Sequence, residues 1–252
     1  MGFPKVFMDI RLQHQSFHFS FIALLITLLI ALSCGGLARW QYHRAIEKQQ
    51  SLSYLADKAS LGELQLAEAL LMPDEWNKTG VIVHLKGVIE KHKYWLLDNK
   101  VLNGRVGYDV LIIVKVANEP RGLIVNLGWI PASDERNFLP AVSFADTEIN
   151  IKAQIKDGDL AGFYLAHEEE KSSSWPKRIQ YIDIDKLARQ SAESLLPFMA
   201  YSKDSILDIQ PHYEPVVMTP QKHKAYALQW GLIGIAAVVV FVFASKVRGN
   251  HE

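Results

Sequence analysis

Two clusters of polar and aromatic side chains hold the residue types best suited to chemistry. One contains Arg39, Trp40, His43 and Arg44, and the other contains Lys222, His223, Tyr226 and Trp230. His223, Tyr226 and Trp230 stand at i, i+3 and i+7, which places them on one face of a helix. An imidazole offers a lone pair to a metal, and a guanidinium pairs with a carboxylate. A porphyrin would use both: its iron takes an imidazole, its propionates take Arg or Lys at a water boundary, and its macrocycle takes an apolar slot. The same residues also suit an interfacial belt, with Trp40, Tyr226 and Trp230 at headgroup level and basic side chains snorkelling beside them. Both readings stand on the residues alone. Imidazole is neither a strong belt former nor an efficient anchor, so the histidines lean further toward ligation than the aromatics do.

The elements that must position these clusters are two apolar runs, Phe19–Leu37 and Ala225–Ala244, neither carrying a charged side chain. Each is about 20 residues long, enough at about 1.5 Å per residue to cross a hydrocarbon core of about 30 Å. The reading is a membrane protein with transmembrane segments at 19–37 and 225–244. They flank an extramembrane domain over 38–224, with short tails at 1–18 and 245–252. Lys5 and Arg11 in front, and Lys246 and Arg248 behind, place both tails in the cytoplasm by the positive-inside rule. The domain is then periplasmic, or lies in the equivalent organellar space. Ala31-Leu32-Ser33 before Cys34 loosely resembles a signal-peptide cleavage site, but the run is longer than a usual signal core. Small residues recur at Ala31, Gly35 and Ala38 and at Ala227, Gly231 and Gly234, so the two spans are expected to pack through these faces.

Between the spans the pattern changes from helix to strand. Arg39–Asp57 reads as a helical extension of the first span. Ser60-Leu61-Gly62-Glu63 has capping-box spacing, with Leu61, Leu64, Ala67 and Leu71 following on one helical face. Val81, Val83, Leu85 and Ile89 alternate as one face of a strand. Tyr94–Asp98, a central Val106–Val116, Leu123–Ile130 and Phe198–Tyr201 read as further strands. In Glu148–Lys156, Ile149, Ile151, Ala153 and Ile155 face in. Asp185–Leu195 reads as a short helix and residues 168–174 as a solvated loop. Pro211, Pro215 and Pro220 read as an extended lead into the second span. The sum is an α+β domain on an antiparallel sheet, with closure into a barrel left open. Gly104, Gly107 and Gly128 read as turn or bulge glycines, and Tyr94, Trp95 and Trp129 as core.

Several functions are excluded or weakened. Lys plus Arg and Asp plus Glu number 27 each, so net charge argues for no nucleic-acid partner. Cys34 is the one cysteine, which rules out an intrachain disulfide, a copper-binding thiolate pair and a CxxC redox motif. His84 and His92 lack a third ligand at a diagnostic spacing. Asp98 and Asp109 could pair only if folding joined them. Nucleophile elbows, phosphate loops and zinc motifs are missing, so the chain reads as a binding protein and not as an enzyme.

Four blocks resemble one family. Leu37-Ala38-Arg39-Trp40-Gln41-Tyr42-His43-Arg44 is similar to an L-G-x-W-Q-x-x-R signature after a first span. Gly104-Arg105-Val106-Gly107-Tyr108-Asp109-Val110 is similar to G-x-x-G-Y-x-V. Val125-Asn126-Leu127-Gly128-Trp129-Ile130-Pro131 is similar to V-N-R-G-W-x-P. His223-Lys224-Ala225-Tyr226-Ala227-Leu228-Gln229-Trp230 is similar to H-x-x-Y-A-x-x-W. In this order, between two spans, they resemble the Surfeit locus protein 1 family of cytochrome c oxidase assembly factors. Ala38 replaces the usual Gly and Leu127 the usual Arg, so any role of that arginine is absent here.

The resemblance implies an inner-membrane factor that assists maturation of the haem-copper oxidase catalytic subunit, by binding or presenting haem A. The lipid bilayer, that subunit and haem A synthase are the implied partners. It places the haem iron ligand on His223, with Tyr226 and Trp230 on the same face. His43 as a second ligand, and Arg39 and Arg44 as propionate partners, follow from placement. The rival readings are a haem-independent scaffold for the oxidase subunit and a two-span extracytoplasmic ligand-binding or sensory protein.

Overall fold

The computed structural model describes residues 7–12, 15–73, 75–133, 138–160 and 174–246. The chain divides into two units: Met1–Leu52 with Val216–Glu252, and Ser53–Pro215. The expected loop at 168–174 lies outside the described residues except for Ser174, and Lys5 and Arg248 also lie outside them.

The first unit begins with a hairpin, β1 (Phe7–Leu12) and β2 (Gln15–Ser20), paired antiparallel. The sequence pattern predicts no element in this tail. Helix α1 (Phe21–Ala59) follows without a break, so the apolar run and its polar extension are one rod. Helix α4 (Pro220–Ala244) closes the unit. The most apolar windows of the two helices have mean hydropathies of 2.5 and 2.3, and only 6 % of each window is buried within the protein. A long helix that is apolar on its open faces is a membrane helix, not a core helix. The chain is therefore a membrane protein with two candidate spans.

The second unit is built on one sheet. Strand β4 (Ile82–Leu102) pairs antiparallel with β5 (Arg105–Val116), which pairs antiparallel with β6 (Gly122–Pro131). Strand β6 runs parallel to β9 (Leu195–Ser202), β9 antiparallel to β7 (Glu148–Lys156), and β7 antiparallel back to β4. The pairings thus return on themselves as a closed ring, β4–β5–β6–β9–β7–β4. The antiparallel framework expected from the sequence also carries parallel partners. Strand β3 (Glu63–Gln65) lies along the start of β4, and β8 (Lys177–Ile179) along its middle.

Period-two alternation explains the core. One face of all five ring strands supplies a single apolar cluster, with Val83, Leu85, Leu96, Val110, Ile112, Val125, Ile151, Ile155 and Leu196 fully enclosed or nearly so. The other face of β4, β5, β6 and β9 supplies Trp95, Leu111, Ile113, Ile124 and Met199 to a second cluster. Helix α3 (Ile184–Ser191) covers it with Leu187. Asp183 caps α3 by accepting from the Lys186 N–H, and the Trp95 indole donates to Gln190 at 2.7 Å. Strand β5 is buried on both faces, as its β-branched run requires.

Four local readings need correction, one being that the helix expected over Asp185–Leu195 stops at Ser191 and Leu195 opens β9. Val81–Ile89 and Tyr94–Asp98 belong to one strand, because the polar stretch between them is absorbed as an irregularity between Ile89 and Tyr94. The helix expected from Leu61 shrinks to α2 (Leu66–Leu70). Ser60 is still bonded back to Ala56 at the end of α1, Gly62 turns the chain at φ +82°, and Leu64 enters β3; Glu68 instead accepts from the Gln65 N–H. Finally, Pro220 belongs to α4 as its first residue, where its missing N–H costs nothing.

Gly104 occupies the β4–β5 turn at φ +77°, and Gly128 sits in a β6 bulge at φ +125°. A Cβ on Gly128 would lie 2.3 Å from the Gln210 carbonyl oxygen, so only glycine fits.

Candidate functional site

The start of α4 is locally encoded. Thr219 accepts from the Lys222 N–H, Pro220 opens the helix, and the His223 N–H makes a first helical bond to the Thr219 carbonyl. His223 is thereby fixed in the first turn. It is 6 % exposed.

Its surroundings come from α1. Along α1, Ala31, Cys34, Ala38, Gln41 and Ala45 are covered at alternating steps of three and four, with Arg44 and Lys48 half-buried beside them. Along α4, Pro220, His223, Ala227, Trp230 and Gly234 follow the same rule. This spacing marks two helices facing each other along a narrow seam. The helices come close at Gly234, where a Cβ would sit 3.1 Å from Cys34 Cβ. The small-residue packing is present, but through Ala31 and Cys34. Gly35 and Gly231 have open space where a side chain would stand. Gly35 lies about 100° round the helix from Cys34, which turns it out of the seam.

At the polar end of the seam, His223 Nδ1 lies 2.7 Å from Gln41 Oε1. The amide oxygen can only accept, so the ring donates through Nδ1, and a neutral imidazole donating there carries its lone pair on Nε2. Among the described residues every buried side-chain nitrogen or oxygen has a partner, yet Nε2 has none there. It is therefore not fully sealed from solvent, although the residue as a whole is buried. A half-buried amide holding one imidazole nitrogen while the other is open is the donor arrangement of a metal-ligating histidine.

The other sequence candidates distribute unevenly. Trp230 is half-buried on the His223 face, and Tyr226 is 44 % exposed one turn along. Arg39 and His43 are exposed, each two residues from Gln41 and so about 200° round α1 from it. Arg44 is half-buried and forms an ion pair with Glu47. One imidazole, that of His223, is available as a donor in the seam; His43 is not brought to it. An apolar groove of Ala225, Leu228, Gln229, Leu232, Ile233 and Ala236 lies on the opposite face of α4, away from His223.

The sheet unit contains a second polar cluster. Asp109, 3 % exposed, accepts from His212 Nε2 at 2.6 Å and from Asn126 Nδ2 at 2.8 Å. The Asn126 oxygen in turn accepts from the Gly128 N–H at 2.8 Å. Beside it Tyr213 stacks on Tyr201 with ring centroids 3.7 Å apart. Burial pushes the Tyr201 hydroxyl well above the usual phenol range, with Tyr213 and Asp109 adding to it, and burial raises Tyr213 as well. Asp109 thus partners a histidine, and Asp98 instead accepts from the Asn99 N–H. The cluster was not legible from sequence because His212 joins from 103 residues away. The available signal was Asp109 and Asn126 inside two neighbouring motif blocks.

His84 and His92 lie eight positions apart on the same strand, on the order of 25 Å. Among the described residues no group of three His, Cys, Asp or Glu side chains could hold a metal.

A model of the SURF1 family matches residues 28–235, a stretch that includes both faces of the seam and the whole sheet unit. No curated protein matches the chain.

Proposed function

The chain belongs to the SURF1 family, whose members are assembly factors of cytochrome c oxidase, and from that premise we propose that it presents haem A to the maturing catalytic subunit. The observation that carries this reading is the His223 ring, fixed through Nδ1 by Gln41 with Nε2 open. His223 would hold the iron of the haem cargo, and Trp230 and Tyr226 would wall the macrocycle. As propionate partners, Arg39 would have to reach round from the far side of α1 and Arg44 would first have to leave Glu47. The sheet unit would dock the client subunit on the outer side of the inner membrane, with both tails cytoplasmic. The positive-inside distribution supports that orientation.

His223 as the one imidazole donor would hold a cargo less firmly than a pair of imidazoles would. That agrees with a presenting role and with His43 standing apart. The test is a reduced-minus-oxidised spectrum of membranes from cells lacking the gene, read at the haem a band. Loss of the band, restored by the wild-type gene but not by His223→Ala, is the expected result. Full restoration by His223→Ala would refute haem contact and leave the scaffold reading. Purification in detergent after co-expression with haem A synthesis gives a direct check, since the scaffold would emerge without a haem spectrum.

A further inference from the structure

We infer that Gln41 is the positioning residue of His223, selecting the tautomer whose lone pair sits on Nε2. The inference rests on the reading that His223 meets haem iron, and it adds the residue that makes His223 competent to do so. A histidine in the first turn of α4 could be neutral with its proton on either nitrogen. An unconstrained imidazole side chain carries that proton preferentially on Nε2, which blocks ligation from the tip of the ring. The Gln41 oxygen at 2.7 Å reverses the preference by accepting from Nδ1.

Two further features keep the amide in place. Gln41 lies on the covered stripe of α1 between Ala38 and Ala45, so the helix aims it at α4. His223 is held by its cap and by Pro220, so neither partner of the bond swings freely. The acceptor is neutral. It orients the ring and favours donation from Nδ1, but adds no charge to the seam. A carboxylate at the same position would polarise the imidazole further and strengthen its bond to a metal.

The experiment uses the full chain in detergent with ¹⁵N-labelled histidine, the His223 resonances being identified by their loss in His223→Ala. In the wild type the major form of His223 should show a protonated Nδ1 and a bare Nε2, the reverse of the unconstrained ring. Gln41→Leu should shift the population toward protonated Nε2, and Gln41→Glu should restore protonated Nδ1. A wild-type ring protonated on Nε2, or a population that ignores Gln41→Leu, overturns the inference. In haem-loaded protein, the ferrous iron–histidine stretch should fall in Gln41→Leu and rise in Gln41→Glu. An unchanged stretch in both variants also overturns it. If the wild type takes up no haem while the tautomer still follows Gln41, the haem reading fails and Gln41's control of the ring stands.

Discussion

His223 in the helical seam and His212 on the sheet unit are both held by one ring nitrogen, but by opposite ends. His223 is gripped at Nδ1, next to its own backbone, by a neutral amide. Its tip nitrogen is left open. His212 is gripped at its tip, Nε2, by a buried carboxylate. What remains there is the nitrogen crowded by its own main chain. The first arrangement presents a histidine, and the second uses one up to hold a segment of chain. That segment is also bonded to β6 by a reciprocal pair between Trp129 and Gln210, and Tyr213 stacks beside it. A histidine becomes a site or a clamp according to which nitrogen is held, a distinction the residue type does not carry.

The sharpest way to break this comparison is to remove each partner. His223→Ala should lower the haem a content of membranes at least tenfold while leaving the thermal unfolding of the sheet unit unchanged. A parallel drop in unfolding temperature would mean that His223 is structural too. Asp109→Ala should do the reverse. It leaves the buried Asn126 amide and the half-buried His212 ring without their shared acceptor, and stranding a buried donor costs about 1–3 kcal/mol. Denaturant unfolding of the detergent-solubilised chain should register this. A loss under about 1 kcal/mol would show that the cluster does not secure the segment.

Gly128→Ala probes the same region through the backbone. Its φ of +125° and the Gln210 carbonyl oxygen 2.3 Å from the added Cβ predict a loss of about 2 kcal/mol or more, visible in the same unfolding curve.

The tyrosine pair gives a pH-dependent prediction. The folded state raises the ionisation of Tyr201 and Tyr213 above the ordinary value of 10.0. Their contribution is therefore fully present below pH about 10 and is lost as pH rises beyond it, because the unfolded chain ionises first. Stability should fall above that pH, and Tyr201→Phe should flatten the decline. A curve unaltered by that substitution would assign the loss to other groups.

The smallest effect is expected at the surface. Lys115 bridges Glu193 at 2.6 Å and Glu90 at 3.6 Å, which holds the Glu193 carboxyl below its usual range. All three side chains are solvent-accessible, so Lys115→Met should change stability by under about 1 kcal/mol. A change as large as that at Asp109 would erase the contrast between buried and exposed charge.

Much of the fold was legible because it depends on periodicity. Val83 and Leu85, and Ile151 and Ile155, face one core because alternate strand residues share a side, whatever their partner strand. Gly128 was readable as a bulge glycine, although the Gln210 carbonyl that demands it was not. The Ser60 capping spacing misled because the same residues also suit the last turn of a preceding helix, and α1 was already running. Of the candidate site, His223, Tyr226 and Trp230 were legible from helical spacing. Gln41 was visible only as one letter of a motif, with no sign that it faced His223.

The sequence by itself determined the two spans and the faces of the strands. These follow from local hydropathy and side-chain period, which act within a few residues. Only the tertiary structure decided that Cys34, not Gly35, meets Gly234; that β7 closes back on β4; and that Gln41 grips one nitrogen of His223. Each of these depends on the rotation of a helix or the register of a strand against a partner far along the chain. A shift of one residue changes the outcome while leaving composition and spacing intact.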